Sequence, residues 1–265
     1  MYGMNNGHRS GYGAPKSSAS ITVTHSSLLA WIPKILLLML LCATTVAGFL
    51  WLPAAESFRS PALARIVVFH VPCSIVASIA SGVTLWYAVA YLITRNPMHD
   101  VKSRVSAELS LLLWVLTTVT GAIFAKAQWG TYWNWDIKQG AIVLLLMIYA
   151  AYFALRSAII DERKQAVIGG AYAIFATICV PFLTYILPNS TDDTLHPKGT
   201  ITTKEGLSPE YRIVLWLGVL GLTLVYVWIW RQHVALDEIR LRLAARRSRL
   251  RTGSASGFMI TEAGQ

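Results

Sequence analysis

Residues 211–230 read YRIVLWLGVLGLTLVYVWIW, and Arg212 is the only charged side chain among them. An apolar run of about 20 residues is long enough to cross the hydrocarbon core of a bilayer as an α-helix. Similar blocks predict further spans at roughly residues 33–52, 64–93, 105–126, 137–156 and 166–187. We therefore expect an all-α, polytopic membrane protein with six transmembrane helices.

The composition of the 265-residue chain supports this fold class. Hydrophobic residues make up 55% of the chain and charged residues only 14%, against about 25% charged residues in an ordinary soluble domain. The net charge of +10 does not indicate nucleic-acid binding, because the basic residues lie between the apolar blocks and in the C-terminal tail. The sequence contains no CxxC, CxxCH or Walker A motif, which argues against a thiol exchanger, a c-type cytochrome and an ATPase.

The distribution of lysine and arginine predicts the orientation in the membrane. Of the 23 basic residues, 16 lie in the N-terminal segment, in 94–104, in 156–165 and beyond residue 230. The positive-inside rule places this set in the cytoplasm, so both termini are expected to be cytoplasmic. The outward loops are then residues 53–63, 127–136 and 188–210.

Polar tails flank the predicted membrane domain, which comprises residues 28–232. Residues 1–27 are rich in Gly, Ser and Asn and predict a disordered cytoplasmic tail. Residues 233–265 form a basic cytoplasmic tail. Its arginines fit either a helix on an anionic membrane surface or a solvated helix that only fixes the topology.

The second outward loop, residues 127–136, is rich in aromatic side chains, and we call it the tryptophan loop. It contains the run Trp129-Gly130-Thr131-Tyr132-Trp133-Asn134-Trp135-Asp136. One interpretation is a belt of rings at the lipid headgroup level, although one or two such rings usually anchor a helix end. The other is a rigid apolar platform for a large planar ligand, with Trp129 and Trp133 on one face of a helical turn and Gly130 allowing close approach. Asp136 is expected to cap the next helix.

Two of the six histidines belong to the predicted outward side. His70 lies in the stretch FHVP at the outer end of the second span, and His196 lies in TLHP in the third outward loop. Taken singly, a loop histidine is usually solvated and a helix-end histidine is usually a satisfied structural residue. Beside an aromatic platform, two imidazoles can ligate a haem iron from above and below. His70 and His196 are therefore candidate metal ligands, whereas Cys73, one helical turn after His70, is not expected to be one.

The run from Trp129 to Asp136 resembles the WGxxWxWD signature of the WWD membrane proteins, which handle haem in cytochrome c maturation. Within that group, the chain length, the predicted spans and the FHVP and TLHP stretches resemble the haem exporter protein C (CcmC) family. This resemblance covers most of residues 30–230. The larger relatives CcmF and CcsA carry the same tryptophan signature but have more spans.

The resemblance implies a haem-delivery protein of the bacterial inner membrane rather than an enzyme. It implies that haem b is bound transiently at the periplasmic face, with His70 and His196 as axial ligands of the iron. The porphyrin contacts that it implies match Trp129, Gly130, Trp133, Trp135 and Asp136, and the platform interpretation adds Tyr132. The implied partners are the chaperone CcmE, which receives the haem, the ABC transporter CcmA–CcmB, the small protein CcmD and membrane lipid.

One position departs from the family pattern, and other function classes stay open. Where the family commonly has an arginine after the motif, this chain has Lys138, which lacks the planar fork for a bidentate contact with a haem propionate. A CcsA- or CcmF-like component of a cytochrome c haem lyase or synthase would be expected to have further histidines inside the spans, and a b-type cytochrome would need facing pairs of them. A small-molecule transporter would need polar groups or broken helices at mid-membrane, for which Pro181 is the only hint.

Overall fold

The structure, a computed structural model, describes residues 31–192, 194–196 and 206–262, and this part of the chain forms a helical bundle. The helices are α1 (Ile32–Val46, continued by a π-helical turn Ala47–Trp51), α2 (Val67–Thr94, preceded by a 3-10 turn Leu63–Ile66), α3 (Pro97–Trp129), α4 (Ile137–Ala158), α5 (Glu162–Pro181, continued by a π-helical segment Phe182–Ile186 and a last turn Leu187–Asn189) and α6 (Pro209–Glu262). The predicted disordered tail, residues 1–27, lies outside the described residues.

Six helices of the described chain are long and apolar enough to cross a membrane, which confirms the predicted fold class. The observed helices extend beyond the apolar blocks, because polar helix-forming residues continue them past the hydrocarbon. Helix α6 runs without a break past residue 232. The last span and the basic C-terminal segment therefore belong to one helix.

Local sequence signals explain where three of the helices begin. Asn96, Asp136 and Asp161 each accept a hydrogen bond on the side chain from a backbone N–H two or three residues later. Such a cap satisfies one of the N–H groups that the first turn of a helix leaves without a partner. The prediction that Asp136 caps the fourth helix is confirmed.

The connections that follow α1, α3 and α5 meet at one end of the bundle, which we call the loop end. Ser60 Oγ donates to the carbonyl of Ala127 at 2.8 Å and joins the first connection to the end of α3. The backbone N–H of Leu195 donates to Asp136 Oδ1 at 2.7 Å and joins the third connection to the tryptophan loop. Residues from all three predicted outward loops therefore lie close together.

Ion pairs between helices hold the opposite end, which we call the charged end. Arg156 of α4 donates from both terminal nitrogens to the two carboxylate oxygens of Asp100 on α3, each at 2.8 Å. Arg104 of α3 pairs with Asp237 of α6 at 2.5 Å. The Arg156 side chain is only 6% exposed, so the bidentate pair of Arg156 and Asp100 lies in a poorly solvated environment. There the pair is strong, and removal of one partner is costly.

Between the two ends, small polar residues allow α2, α3, α4 and α5 to pack closely. Ser81 Oγ lies 2.8 Å from Ser110 Oγ and 2.7 Å from the Tyr149 hydroxyl, and Thr177 Oγ1 lies 3.3 Å from the carbonyl of Ser81. We call these four residues the hydroxyl cluster. Hydrogen bonds of this kind and small side chains are typical of packed transmembrane helices.

Pro181 marks a change in the hydrogen-bond pattern of the fifth span. The α-helical part of α5 ends at Pro181, and the π-helical segment Phe182–Ile186 follows. Proline has no backbone N–H and removes one bond of the regular ladder, so an irregular turn beside it is expected. Pro72, in contrast, lies inside α2, which stays α-helical from Val67 to Thr94.

Candidate functional site

A cavity of about 860 Å³ lies among α2, α3, α4 and α5 and reaches the loop end. Its size falls within the range of about 300–1,000 Å³ that is usual for small-molecule sites. Most of the lining side chains are apolar or carry hydroxyl groups, and the lining includes Ser81 and Thr177 of the hydroxyl cluster. Among the described lining residues, the imidazole and cationic side chains are His70, Lys138 and His196.

His70 lines this cavity from the first turns of α2, and residues of α3 fix its ring. Its Nδ1 lies 3.1 Å from Thr120 Oγ1. The Thr120 hydroxyl donates to the carbonyl of Leu116 at 2.7 Å, so it accepts a hydrogen bond from His70 Nδ1–H and Nε2 keeps its lone pair. A Cβ atom on Gly121 would lie 2.8 Å from His70 Cε1, so only glycine fits there unless the ring shifts.

His196 lines the same cavity from the connection after α5, and the tryptophan loop fixes its ring. Its Nδ1 lies 2.7 Å from Asp136 Oδ2. An ionised carboxylate can only accept, so Nδ1 carries the proton and Nε2 keeps the lone pair. Trp129 packs edge-to-face against the His196 ring at a centroid distance of 4.9 Å. Both histidines are therefore held through Nδ1, as histidines that bind metal through Nε2 usually are.

Asp136 is the central hydrogen-bond acceptor of the site, and its side chain is only 1% exposed. The N–H of Leu195, the N–H of Lys138 and the ring of His196 all donate to it. Burial opposes ionisation of the carboxyl, but these hydrogen bonds outweigh burial and hold the pKa of Asp136 below its usual value. Burial lowers the pKa of His196, the charge of Lys138 lowers it further, and Asp136 opposes the shift. A neutral imidazole beside a carboxylate is therefore the stable state at neutral pH.

The tryptophan loop is helical only up to Trp129, so the prediction that a helical turn places Trp129 and Trp133 on one face is wrong. Helix α3 ends at Trp129 because Gly130 adopts a φ of +87°, a left-handed conformation that favours glycine and ends many helices. Trp129 stays with α3 against His196, whereas Trp133 packs against Trp135 at 5.8 Å.

The predicted site residues fall into three groups in the structure. The residues that line the cavity are His70, His196 and Trp133. The residues that contact His196 are Trp129 and Asp136. The residues at the loop end that do not line the cavity are Gly130, Tyr132 and Trp135, and the last two are 61% and 75% exposed.

Some residues of the site gave no signal in the sequence. Thr120 and Gly121, which position His70, are ordinary members of an apolar span. Their role depends on contact with His70 of α2, which lies 50 residues before Thr120 along the chain. Cys73 donates to the carbonyl of Phe69 at 3.3 Å and is not among the residues that line the cavity. Within the part of the chain that the structure describes, no group of three or more His, Cys, Asp and Glu side chains is placed to hold a bare metal ion.

The chain is similar to known membrane proteins over most of its length. A sequence profile of the family described as heme exporter protein C matches residues 10–253. The heme exporter protein C of Haemophilus influenzae is 28% identical over 220 residues, which are 82% of this chain and 86% of that protein. That of Paracoccus denitrificans is 26% identical over 211 residues, 78% and 84% of the two chains, and that of Rhodobacter capsulatus is 25% identical over 233 residues, 86% and 94%. The chain therefore belongs to the heme exporter protein C (CcmC) family.

Proposed function

We propose that this protein holds haem b between His70 and His196 at the loop end and delivers it to the haem chaperone CcmE. As a member of the heme exporter protein C family, the chain is a membrane component of haem handling in cytochrome c maturation. One observation carries the proposal: two imidazoles from distant parts of the chain line one cavity, and each is hydrogen-bonded through Nδ1. This arrangement leaves both Nε2 lone pairs for an iron between them.

The side chains around the histidines suit a planar tetrapyrrole with two acidic groups at one edge. Trp133 supplies a flat apolar surface in the lining, and Trp129 supports the ring of His196. Lys138 is the cationic side chain of the described lining, and we propose that it pairs with a propionate. As a compact point charge, it makes a single contact where an arginine would make two.

We propose that the exposed part of the tryptophan loop covers the haem edge that protrudes from the cavity. Trp135 has a φ of +53°, which is costly for a bulky residue and is often found at functional sites. Tyr132 lies three residues earlier and is exposed, and Lys126 Nζ lies 5.5 Å from the centre of the Tyr132 ring. Gly130 ends the preceding helix, so its contribution is to turn the loop toward the ligand.

The distribution of basic residues supports a periplasmic site in the bacterial inner membrane. The segments with 16 of the 23 lysines and arginines belong to the charged end and to both terminal segments, so the loop end faces outward by the positive-inside rule. We propose that CcmE receives the haem there, in a complex that contains the ABC transporter CcmA–CcmB and CcmD. The role is binding and transfer, and no catalytic residue is assigned.

The experiment is an optical spectrum of the purified protein in detergent, with and without added haemin. We expect a six-coordinate low-spin Soret band in the wild type and a changed spectrum in both His70→Ala and His196→Ala. His99→Ala is the matched control, because His99 also hydrogen-bonds a threonine through Nδ1 but is not among the described lining residues. A variant lacking His70 or His196 that keeps the wild-type spectrum would refute axial ligation by that residue.

A further inference from the structure

The cavity extends from the two histidines far toward the charged end of the bundle. On α2 its lining runs from Val67 to Leu85, which is roughly 27 Å at about 1.5 Å per residue. These residues all lie in the candidate span Leu63–Thr94, and the hydrocarbon core of a bilayer is about 30 Å thick. Much of the cavity is therefore open space at membrane depth.

The exposed part of the cavity wall is confined to one side of the bundle. The described lining residues that are exposed are Gly82 of α2 and Ile178, Pro181, Tyr185 and Asn189 of α5 and its continuation. Ile178 is 62% exposed and Tyr185 is 64% exposed. The lining residues of α3 and α4 are all buried or half-buried. A residue that lines a cavity and is also exposed lies at a mouth of the cavity. Asn189 lies at the loop end, and Gly82, Ile178, Pro181 and Tyr185 mark what we call the α2–α5 opening.

The residues of the α2–α5 opening lie within the candidate spans Leu63–Thr94 and Glu162–Asn189, where the exposed side chains of a membrane protein contact lipid. At the loop end, the cavity is lined by the exposed Asn189 and by half-buried side chains, which include Phe58 and Trp133. Phe58 is itself packed edge-to-face against Phe124 at 6.1 Å. In the described part of the chain, the exposed lining residues other than Asn189 are therefore on the membrane side.

The chemistry of the wall at membrane depth suits an apolar molecule. The lining serine and threonine hydroxyls donate to carbonyls of their own helices, as Ser78 does to Ser74, Thr118 to Trp114 and Thr184 to Val180. Their donors are used, so the wall offers little to an ion or a strongly hydrated solute. Among the described lining residues, the charged side chain is Lys138 at the first turn of α4, near the loop end.

We infer that haem reaches His70 and His196 laterally from the bilayer, through the α2–α5 opening. This inference rests on the proposed function and adds the route of the ligand. The apolar macrocycle passes between α2 and α5 at membrane depth, and its acidic edge leads toward the loop end, where Lys138 lies. Ligation by the two histidines follows once the ring is inside. The hydroxyl cluster joins α2 to α5 at Ser81 and Thr177, so these two helices stay together there while haem passes.

Narrowing the α2–α5 opening tests the route. Gly82→Trp adds a large ring at the opening, and a Cβ at Gly82 meets no atom within 4 Å, so the backbone tolerates the change. Ile178→Trp narrows the same opening from the other helix. Ile79→Trp is the matched control, because Ile79 is 42% exposed on the same helix but does not line the cavity.

The assay follows haem uptake by apoprotein reconstituted in phosphatidylcholine vesicles that were preloaded with haemin. We expect the Soret rise to slow by about tenfold or more in Gly82→Trp and Ile178→Trp, a factor that corresponds to about 1.4 kcal/mol of added barrier. Ile79→Trp should match the wild type, and all equilibrium spectra should be the same. When haemin is supplied from water as an albumin complex, its rate of binding to the protein should not exceed its rate of partition into the vesicle lipid.

Three results distinguish failure of the route from failure of the proposed function. Wild-type uptake rates in both Gly82→Trp and Ile178→Trp, with a normal low-spin spectrum, would overturn the lateral route alone. Binding of albumin-supplied haemin faster than its partition into lipid would also overturn it. A wild type that takes up no haemin at equilibrium would refute the proposed haem site itself.

Discussion

Asp136→Asn exchanges one carboxylate oxygen for an NH2 group and preserves the shape of the side chain. In the wild type, Oδ1 accepts from the Leu195 N–H at 2.7 Å, and Oδ2 accepts from His196 Nδ1 at 2.7 Å and from the Lys138 N–H at 3.1 Å. An amide has one oxygen, so one of these two acceptor positions becomes a donor. If the NH2 group faces His196, Nδ1 must accept and the proton moves to Nε2, where it blocks ligation of iron.

The opposite amide orientation also disturbs the site. The NH2 group would then face the N–H of Leu195, and two donors at 2.7 Å repel each other and displace residues 194–196. Loss of the partner of a metal-ligating histidine typically weakens metal affinity about 10- to 100-fold. We expect haem affinity to fall by that factor, which corresponds to about 1.4–2.7 kcal/mol. In this second orientation the amide oxygen keeps the Oδ2 position and still accepts from the Lys138 N–H, so the start of α4 is preserved, whereas in the first orientation the NH2 group faces that N–H and the cap is lost.

The assay is a haemin titration of the purified protein, read at the Soret band, for Asp136→Asn, His196→Ala and the double variant. Because Asp136 acts through His196 in this scheme, Asp136→Asn should cost little in the His196→Ala background. Asp136→Ala is a useful comparison, since it also removes the cap and should lower stability by about 1 kcal/mol more. Wild-type affinity and a low-spin spectrum in Asp136→Asn would refute this reasoning, as would an equal loss in both backgrounds.

Three further perturbations test other parts of the structure. Gly121→Ala brings a methyl group to 2.8 Å from His70 Cε1, so haem affinity should fall roughly tenfold while the helical circular dichroism is unchanged; unchanged affinity would show that the ring yields freely. Burial holds the pKa of His196 below 6.5, so haem affinity should stay level from about pH 8 to 6.5. At lower pH a proton competes with iron for Nε2, and the affinity should fall. A haem affinity that already falls above about pH 7, measured by haemin titration at each pH, would contradict this. Asp100→Asn leaves the buried charge of Arg156 without its partner and should lower the free energy of unfolding by about 3–5 kcal/mol, measured by thermal melting in detergent, and a shift too small to detect would mean that the pair contributes little.

The helices were predictable because a membrane span is a local property of the sequence. Each apolar block is long enough to cross the bilayer, and no distant residue is needed to specify it. The cap at Asp136 is equally local, because its acceptor role at the start of α4 involves a residue two positions later. Such features can be inferred from one sequence with no knowledge of the packing.

The site was only partly predictable because its contacts join distant residues. The composition of the tryptophan loop favoured a platform that includes Trp129 and Trp133. The left-handed conformation of Gly130 instead turns the chain after Trp129, and Trp133 packs against Trp135. Asp136 was expected mainly as a cap, yet it also holds His196, which lies 60 residues away. No spacing rule in the sequence reveals such a partner.

The unequal partners of the two histidines have a consequence for the direction of transfer. A carboxylate on Nδ1 makes an imidazole a stronger donor toward iron than a neutral hydroxyl does, so His196, held by Asp136, should bind iron more tightly than His70, held by Thr120. When a competing ligand arrives, the bond to His70 is then expected to break first, and His70→Ala should retain more haem than His196→Ala. The haem would then stay bound to His196 at the loop end before it leaves. Hydrogen bonds two atoms away from the iron would thus set the order in which its bonds open.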